Sequence, residues 1–272
     1  MVSKNKRRMI KNYSLILLRM PGFLRNIGLL FAIALIALSN CTDGNGASKM
    51  DIRDFYTNSK MLELIRAAEH NDLDKLKKLV NDGTDPNTFG NEGMTPLFWV
   101  LGHQNKKAME ALLTVGANPN LKNSDGESPM AMATGAKNTD FMKILLDRGG
   151  DPNIKNGVGE PALFVAIRQK STENVKILLD YGADINATNR SSNTPVMYAA
   201  NLNQYKIVQF LLEKGADHKH LTRGGVSLSE IVQDSHVDPE FEAYEIRKKV
   251  IKMLEKRGVK FPVPRSADLH TS

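Results

Sequence analysis

Apolar residues recur at spacings of three and four along much of this chain, which is the pattern of helices that bury one face. Val175, Leu178 and Leu179 form one such set, and Gly182 follows them. A glycine at that place can adopt the left-handed conformation that ends many helices. Shorter apolar segments, such as residues 96–103, precede sets of this kind. The pattern predicts an all-α chain built from pairs of helices.

The predicted helix pairs repeat with a constant period. Five glycines are spaced 33 residues apart, namely Gly83, Gly116, Gly149, Gly182 and Gly215. Segments such as TPLFWV and TPVMYA recur in the same phase before the first helix of a pair. A hydroxyl there can accept a hydrogen bond from the helix start, and proline suits the first turn, where no N–H is needed. The predicted capping residues are Thr95, Ser128 and Thr194.

These motifs resemble the ankyrin repeat, with its T-P-L-H-x-A and L-L-x-x-G-A-D-x-N elements, over residues 60–262. The resemblance implies an all-α ankyrin-repeat solenoid of helix-turn-helix repeats with hairpin tips, in about six units including both caps. One repeat cannot bury both of its apolar faces, so neighbouring repeats must stack. Pro161 replaces the capping hydroxyl in the third full repeat, and Ser192 replaces the tip glycine in the fourth. We expect the helix that follows Pro161 to lack a side-chain cap, and the tip at Ser192 to be the least regular.

A predicted export signal occupies residues 1–40, which carry seven Lys or Arg and no acidic residue. A basic region before a short apolar core, here residues 27–38, is typical of secretory signals. The core is shorter than the roughly 20 residues that span a bilayer. An uncleaved anchor would therefore need to recruit the preceding segment. A flexible linker and lead-in, residues 41–59, would follow the signal, and residues 263–272 would form a C-terminal tail.

The chain has a single cysteine, Cys41, at the end of LSNC. This motif resembles a bacterial lipobox, which implies cleavage before Cys41 and a lipid on it. Asn40 departs from the small residue usual there, so cleavage after residues 37–39, releasing a soluble periplasmic protein, is the alternative. Thr42 instead of Asp favours the periplasmic side of the outer membrane, by the same resemblance. An internal start at Met50 would produce a cytoplasmic form without a signal.

The charge of the whole chain is misleading about its partners. The formal net charge is +7 and the pI about 9.3. Because the seven surplus charges all lie in residues 1–40, residues 41–272 are neutral. Affinity for nucleic acid depends on neutralising many phosphates, so we expect no nucleic-acid partner.

Candidate chemistry is sparse. Among the six histidines only His218 and His220 are close in sequence, with no Cys or carboxylate at zinc-ligand spacing. The sequence has no glycine-rich phosphate loop and no G-x-S-x-G motif. We therefore predict a protein that is not an enzyme and binds neither a metal nor a cofactor.

The ankyrin resemblance implies that a protein partner binds the hairpin tips and the first helices. The tip candidates are Phe89, Glu92, Met94, Lys122, Asp125, Glu127, Lys155, Val158, Glu160, Arg190 and Asn193. The first-helix candidates are Trp99 and Tyr198, in one column with Met132 and Val165, and His103, Gln169 and Leu202 in the next column. The column of large residues fits either an interface or internal packing, whereas Phe89 and Met94 should be exposed. An insert at residues 234–245 is either a second partner contact or a solvated loop whose aromatics fold back onto the C-terminal cap.

The sequence thus predicts an exported, lipid-anchored protein, monomeric when free, that binds another protein. It resembles ankyrin-repeat immunity proteins that neutralise phospholipase-like toxins of type VI secretion, which implies steric inhibition of a cognate toxin. The alternative is an envelope adaptor, or a partner protein of a periplasmic enzyme.

Overall fold

The computed structural model describes residues 51–136 and 138–265. The predicted signal, Cys41 and residues 266–272 lie outside the described residues. The helices are α1 Ser59–Glu69, α2 Leu73–Asn81, α3 Pro96–Gly102, α4 Lys106–Thr114, α5 Pro129–Thr134, α6 Thr139–Asp147, α7 Ala162–Arg168, α8 Thr172–Asp180, α9 Pro195–Asn201, α10 Tyr205–Glu213, α11 Leu228–Asp234 and α12 Glu242–Glu255. Among the described residues, β structure is limited to two isolated bridges. The all-α prediction is confirmed.

The described residues divide into two compact units, the first extending to Pro129 and the second beginning at Met130. In the first unit, α1 and α2 pair, α3 and α4 pair, and α1 packs on α4. A short 3-10 turn, Ile52–Asp54, precedes α1, and Phe55 and Tyr56 after it are buried. The Phe55 carbonyl accepts a hydrogen bond of 2.9 Å from the Asn91 amide. The last part of the predicted linker and lead-in therefore packs into the first unit.

The second unit contains the later repeats and the C-terminal cap. Helices α7 and α8 pair, α9 and α10 pair, and α11 and α12 pack on α9 and α10 respectively. Asn174 is buried, and its side-chain amide donates to the Thr134 and Ala136 carbonyls at 3.2 and 3.3 Å. These bonds fix the end of α5 against α8.

The helices end as the glycine period predicts. Gly83, Gly116, Gly149, Gly182 and Gly215 all have φ between 86° and 94°. After α2, the Thr84 amide donates to the Leu79 carbonyl at 2.9 Å, closing the terminal turn around Gly83. Gly258 repeats this conformation after α12, with φ 91°.

The predicted caps of the first helices are confirmed in part. The Thr95 hydroxyl accepts from the Phe98 amide at 3.2 Å. Pro161 precedes α7 without any side-chain cap, as expected. The expectation for Thr194 is wrong, because its buried hydroxyl makes no hydrogen bond to α9 or to any other described residue.

The cap insert lies between α11 and α12. Arg247 of α12 donates to the carbonyls of Val232 and Gln233, both at 2.9 Å, and so stabilises the end of α11. Tyr244 is half-buried beneath the Lys248 ammonium, which lies 4.5 Å from the ring centroid. Phe241 is 66% exposed, so this aromatic does not fold back onto the cap.

Candidate functional site

Hairpin tips built by the same hydrogen bonds recur in both units. In the first unit, the Asn123 amide donates to the Glu127 carbonyl at 2.9 Å. In the second unit the corresponding bond joins Asn156 to Glu160 at 3.1 Å. Ser192, at the tip predicted to be least regular, has φ 59° and the turn geometry of the glycine-bearing tips. The candidate side chains therefore stand on rigid, hydrogen-bonded turns.

Asparagine side chains connect successive repeats beneath these tips. The Asn87 carboxamide accepts from the Asn118 amide at 2.7 Å and donates to the Gly116 carbonyl at 3.0 Å. Asn153 accepts from the Asp184 amide at 2.8 Å in the second unit. These asparagines are not among the sequence-predicted candidates, although Asn87, Asn120, Asn153 and Asn186 recur every 33 residues and were a signal that could have found them.

The tip candidates of the first unit divide between surface and core. Phe89 is 44% exposed and Glu92 is exposed. The expectation that Met94 is exposed is wrong, because its side chain is only 7% exposed. The Met94 carbonyl accepts hydrogen bonds from the Tyr56 hydroxyl and from the Gly90 amide. Burial of the Tyr56 hydroxyl in this contact raises the pKa of Tyr56 above its usual range.

Trp99 belongs to an aromatic cluster in the first unit. It is 5% exposed, and its indole N–H donates to the Glu69 carboxylate at 3.1 Å. The rings of His103 and Phe55 lie 4.0 and 5.8 Å from the Trp99 ring, measured between centroids. Packing thus accounts for Trp99, while Glu69 and the half-buried His103 present polar atoms at the surface of this cluster.

The second tip of the first unit carries the remaining candidates of that unit. Lys122 is exposed, and Asp125 and Glu127 are half-buried. The Asn123 carboxamide accepts from the amides of both acidic residues at 3.0 Å. Asn123 therefore fixes the backbone from which these carboxylates project.

Arg190 occupies a defined place on the second unit. It is exposed, and one guanidinium nitrogen lies 3.2 Å from the point where a Cβ on Gly159 would stand. Gly159 has φ +75°, so glycine serves both the turn and the close approach of Arg190. Lys155 is exposed nearby in sequence, and Val158 is 38% exposed.

An ion pair and an aromatic pair lie beside this tip. Glu160 accepts from Arg168 at 2.8 Å, so its charge is neutralised within the unit. The half-buried Tyr198 packs its ring 5.3 Å from that of Phe164, centroid to centroid. Burial raises the pKa of Tyr198, and the negative charge of Glu160 raises it further.

The remaining candidates of the second unit are mostly on the surface. Gln169 is exposed and Leu202 is 41% exposed, both just after first helices. Asn193 is half-buried and accepts from the Asn201 side chain at 3.3 Å. The structure thus places apolar and polar candidates at both ends of the first helices of this unit.

Comparison with protein families decides the classification. The model of ankyrin repeats (three copies) matches residues 64–156 and 136–221, which together are more than half of the chain. The chain belongs to the ankyrin-repeat family. No curated protein matches it.

Solved ankyrin structures resemble the chain over most of its length. The ankyrin repeat protein EF0377 is 26% identical, with TM-score 0.57, and the match covers 73% of this chain and 99% of that one. The ankyrin repeat domain of Bcl-3, a member of the IkappaB protein family, is 25% identical, with TM-score 0.60, covering 75% and 90%. An ankyrin repeat domain from Acinetobacter baumannii AYE shares the fold at 24% identity and TM-score 0.59, covering 72% and 98%.

Ankyrin repeats bind proteins in general. Within the described ranges no cluster of three or more His, Cys, Asp or Glu could hold a metal ion. His220 of the HKH motif instead makes a 3.0 Å hydrogen bond with the Ser192 carbonyl. No helix within these ranges has the length and apolar character needed to cross a membrane.

An exposed tip residue of the second unit is not among the sequence-predicted candidates. Arg223 is exposed and lies 33 residues after Arg190, hence at the same position of the next tip. The repeat phase was the signal that could have found it.

Proposed function

We propose that this protein is exported, is tethered to the periplasmic side of the outer membrane through a lipid on Cys41, and sterically neutralises a protein partner. In its specific form the proposal is an immunity protein against a phospholipase-like toxin of type VI secretion. The signal, the LSNC motif and the ankyrin repeats support it jointly. In this function the protein contributes a binding surface and no reactive group.

The observation that carries the binding step is the exposure of large apolar side chains on the tips and just after the first helices. Phe89, Val158 and Leu202 each expose between 38% and 44% of their surface. A few aromatic and arginine side chains dominate the affinity of many protein interfaces, so Phe89 is the expected anchor, and Val158 and Leu202 add apolar contact area. Because hydrogen-bonded turns already fix the tips, little backbone entropy would be lost when a partner docks.

Steric neutralisation requires an interface of ordinary size. A stable contact covers on the order of 800 Å² on each partner, and several tips and first helices together can supply that area. When the active site of the toxin lies beneath such a contact, its lipid substrate cannot reach that site. The tether would keep the inhibitor on the membrane that a phospholipase attacks.

The test begins with the gene adjacent to that of this chain. Its product, exported alone in a host strain, should arrest growth, and co-expression of the full chain should restore it. The purified pair should bind one to one. Phe89→Ala and Leu202→Ala should each weaken binding at least about 30-fold, which corresponds to about 2 kcal/mol. More than half of each side chain is buried in the free protein, so a melting curve measured beside each affinity separates lost binding from lost stability.

Tyr181→Ala is the matched control, because Tyr181 follows the second helix α8 and is as exposed as Leu202, at 41%. It should bind and protect like the parent. A neighbouring gene product that binds but is harmless when exported would favour the envelope-adaptor alternative. Loss of binding in the control alone would place the interface on the second-helix side.

A further inference from the structure

The tips of the second unit carry three exposed cations. Lys155, Arg190 and Arg223 lie on successive hairpins, and none makes an ion pair with a described residue. The tip segments, residues 155–160, 188–193 and 221–226, contain one acidic residue, Glu160. Because Arg168 neutralises that carboxylate at 2.8 Å, the cations remain uncompensated. We call Lys155, Arg190 and Arg223 the basic tip row.

The tips of the first unit have the opposite charge. Their segments, residues 88–94 and 121–127, carry one lysine and three acidic residues, a net charge of −2. The tip segments of the second unit carry three cations and one carboxylate, a net charge of +2. Positive charge is therefore a feature of the second unit and not of tips in this chain generally.

Local structure restrains part of the row. The Arg190 guanidinium lies close to Gly159, and a Cβ at that position would stand 3.2 Å from one of its nitrogens, so a larger residue would push the guanidinium aside. A hydrogen bond of 3.0 Å between His220 and the Ser192 carbonyl joins the tip that bears Arg223 to the tip that bears Arg190. A restrained guanidinium loses less entropy when it binds a planar anion, which it can hold through two parallel hydrogen bonds. Val158, beside Gly159, adds an exposed apolar surface.

We propose that the basic tip row binds an acidic segment of a protein partner, with Val158 contacting an apolar side chain of that segment. This inference rests on the proposed function in that it specifies the chemistry of the partner. Packed helices lie about 8–10 Å apart, and a peptide in the polyproline II conformation rises about 3.1 Å per residue with three residues per turn, so every third side chain lies on one face. Carboxylates three residues apart would therefore match Arg190 and Arg223 on adjacent tips.

The number of charges favours a protein segment over other anions. Proteins that bind nucleic acid through its backbone typically make about 6–10 phosphate contacts, whereas the row offers three cations. Recognition of acidic lipid surfaces typically uses clusters of about 4–8 Lys or Arg. Residues 41–272 are moreover neutral as a whole, so they provide no general attraction for polyanions.

The experiment measures fluorescence anisotropy of labelled probes with the full chain lacking its signal. The main probe is a 12-residue peptide with Glu at every third position and Leu and Ser between. Its controls replace each Glu by Gln, or group the glutamates consecutively. A 12-nucleotide oligo(dT) and phosphatidylglycerol vesicles represent the other classes of anion. We expect the spaced peptide to bind at least tenfold more tightly than the Gln peptide and severalfold more tightly than the grouped one.

Two double variants locate the binding surface. The double variant Arg190→Glu/Arg223→Glu should weaken binding of the spaced peptide at least tenfold. The single variant Arg223→Glu should weaken it severalfold. The control combines Lys176→Glu with Lys249→Glu, two exposed lysines on α8 and α12. Both double variants change the net charge by −4, so a purely long-range effect would appear equally in both. We expect less than a twofold change in the control.

Equal binding of the Glu and Gln peptides, or equal losses in the two double variants, would overturn the inference. Tighter binding of oligo(dT) or vesicles than of the spaced peptide would reassign the row to nucleic acid or lipid. The proposed function fails separately. A toxin that binds the Arg190→Glu/Arg223→Glu variant as tightly as the parent would remove the row from the interface and leave the immunity role intact.

Discussion

Replacing Gln204 by asparagine should stabilise the protein. Gln204 occupies the N-cap of α10, at the position where Asp72, Asn105, Asn138 and Ser171 cap the second helices of other repeats. Each of these shorter side chains accepts from an amide of the first turn, for example Asn105 from Ala108 at 3.1 Å. The Gln204 side chain makes no such bond, and both of its polar atoms are buried without a partner among the described residues.

The magnitude follows from three contributions. An asparagine cap contributes about 1 kcal/mol to stability. Removing a buried polar group that lacks a partner is worth about 1–3 kcal/mol. Asparagine would gain only part of this amount, because it keeps an N–H₂ group. Loss of one buried methylene costs about 0.8 kcal/mol. We expect Gln204→Asn to raise the free energy of unfolding by about 1–2 kcal/mol, because the backbone at Gln204, with φ −88° and ψ 62°, needs only a small change in ψ to match the capping residue Asn105, with φ −89° and ψ 89°.

Urea unfolding of residues 47–272, followed by circular dichroism, measures this change. With a denaturant dependence of about 2 kcal/mol per molar, the midpoint of the transition containing α10 should rise by roughly 0.5–1 M. Asn105→Gln is the reciprocal variant in the first unit and should lower stability by a similar amount. Gln204→Met keeps the length of the side chain and removes its polar atoms, so it separates relief of the buried amide from capping. A lower midpoint for Gln204→Asn together with an unchanged one for Asn105→Gln would refute the capping argument.

Three further outcomes are expected. The protein should lose stability above about pH 10, the usual pKa of tyrosine. Burial raises the pKa of Tyr56 in the folded protein, so the Tyr56 hydroxyl loses its proton at a lower pH in the unfolded chain. Tyr56→Phe should reduce this loss of stability in urea titrations at pH 8 and 11. Truncation after Gly224 should cause aggregation in size-exclusion chromatography, because α11 and α12 cover apolar faces of α9 and α10, whereas a monodisperse truncated protein would contradict that role. Cys41→Ala should move the protein from the membrane to the soluble periplasmic fraction and abolish fatty-acid labelling; unchanged membrane association would indicate an uncleaved anchor.

The helical repeat was predictable because its causes are local. The glycine period and the apolar spacing each act within one or two turns of chain, and the structure confirms the left-handed glycines that end the helices. Pro161 was correctly expected to leave α7 without a side-chain cap. Ser192 shows the limit of such reasoning, since neighbouring bonds hold a serine at φ 59° in a turn where glycine is usual.

The surface was less predictable because distant residues decide which side chains remain on it. Tyr56 lies 38 residues before Met94 and binds its carbonyl, and Glu69 lies 30 residues before Trp99 and accepts from its indole. The repeat phase predicts neither contact, because Tyr56 precedes the periodic pattern and the bond from Trp99 to Glu69 joins the helices α3 and α1 of two different repeats. Met94 was consequently expected to be exposed and is a core residue, and for Trp99, whose column fitted either an interface or internal packing, the structure shows packing.

This difference determines which residues can test function. In the first-helix column, Trp99 and Val165 are buried and Tyr198 is half-buried against Phe164, so truncating any of them would perturb packing as well as binding. Truncation of a buried tryptophan typically costs about 3–5 kcal/mol of stability, which exceeds the roughly 2 kcal/mol expected of an interface anchor. A binding loss measured at Trp99 would therefore be ambiguous even with a melting curve. Val158 and Arg223 are tip residues, exposed on turns held by backbone bonds. Substitutions at such residues can change affinity without unfolding a repeat, so the partner should be sought with variants of the tips.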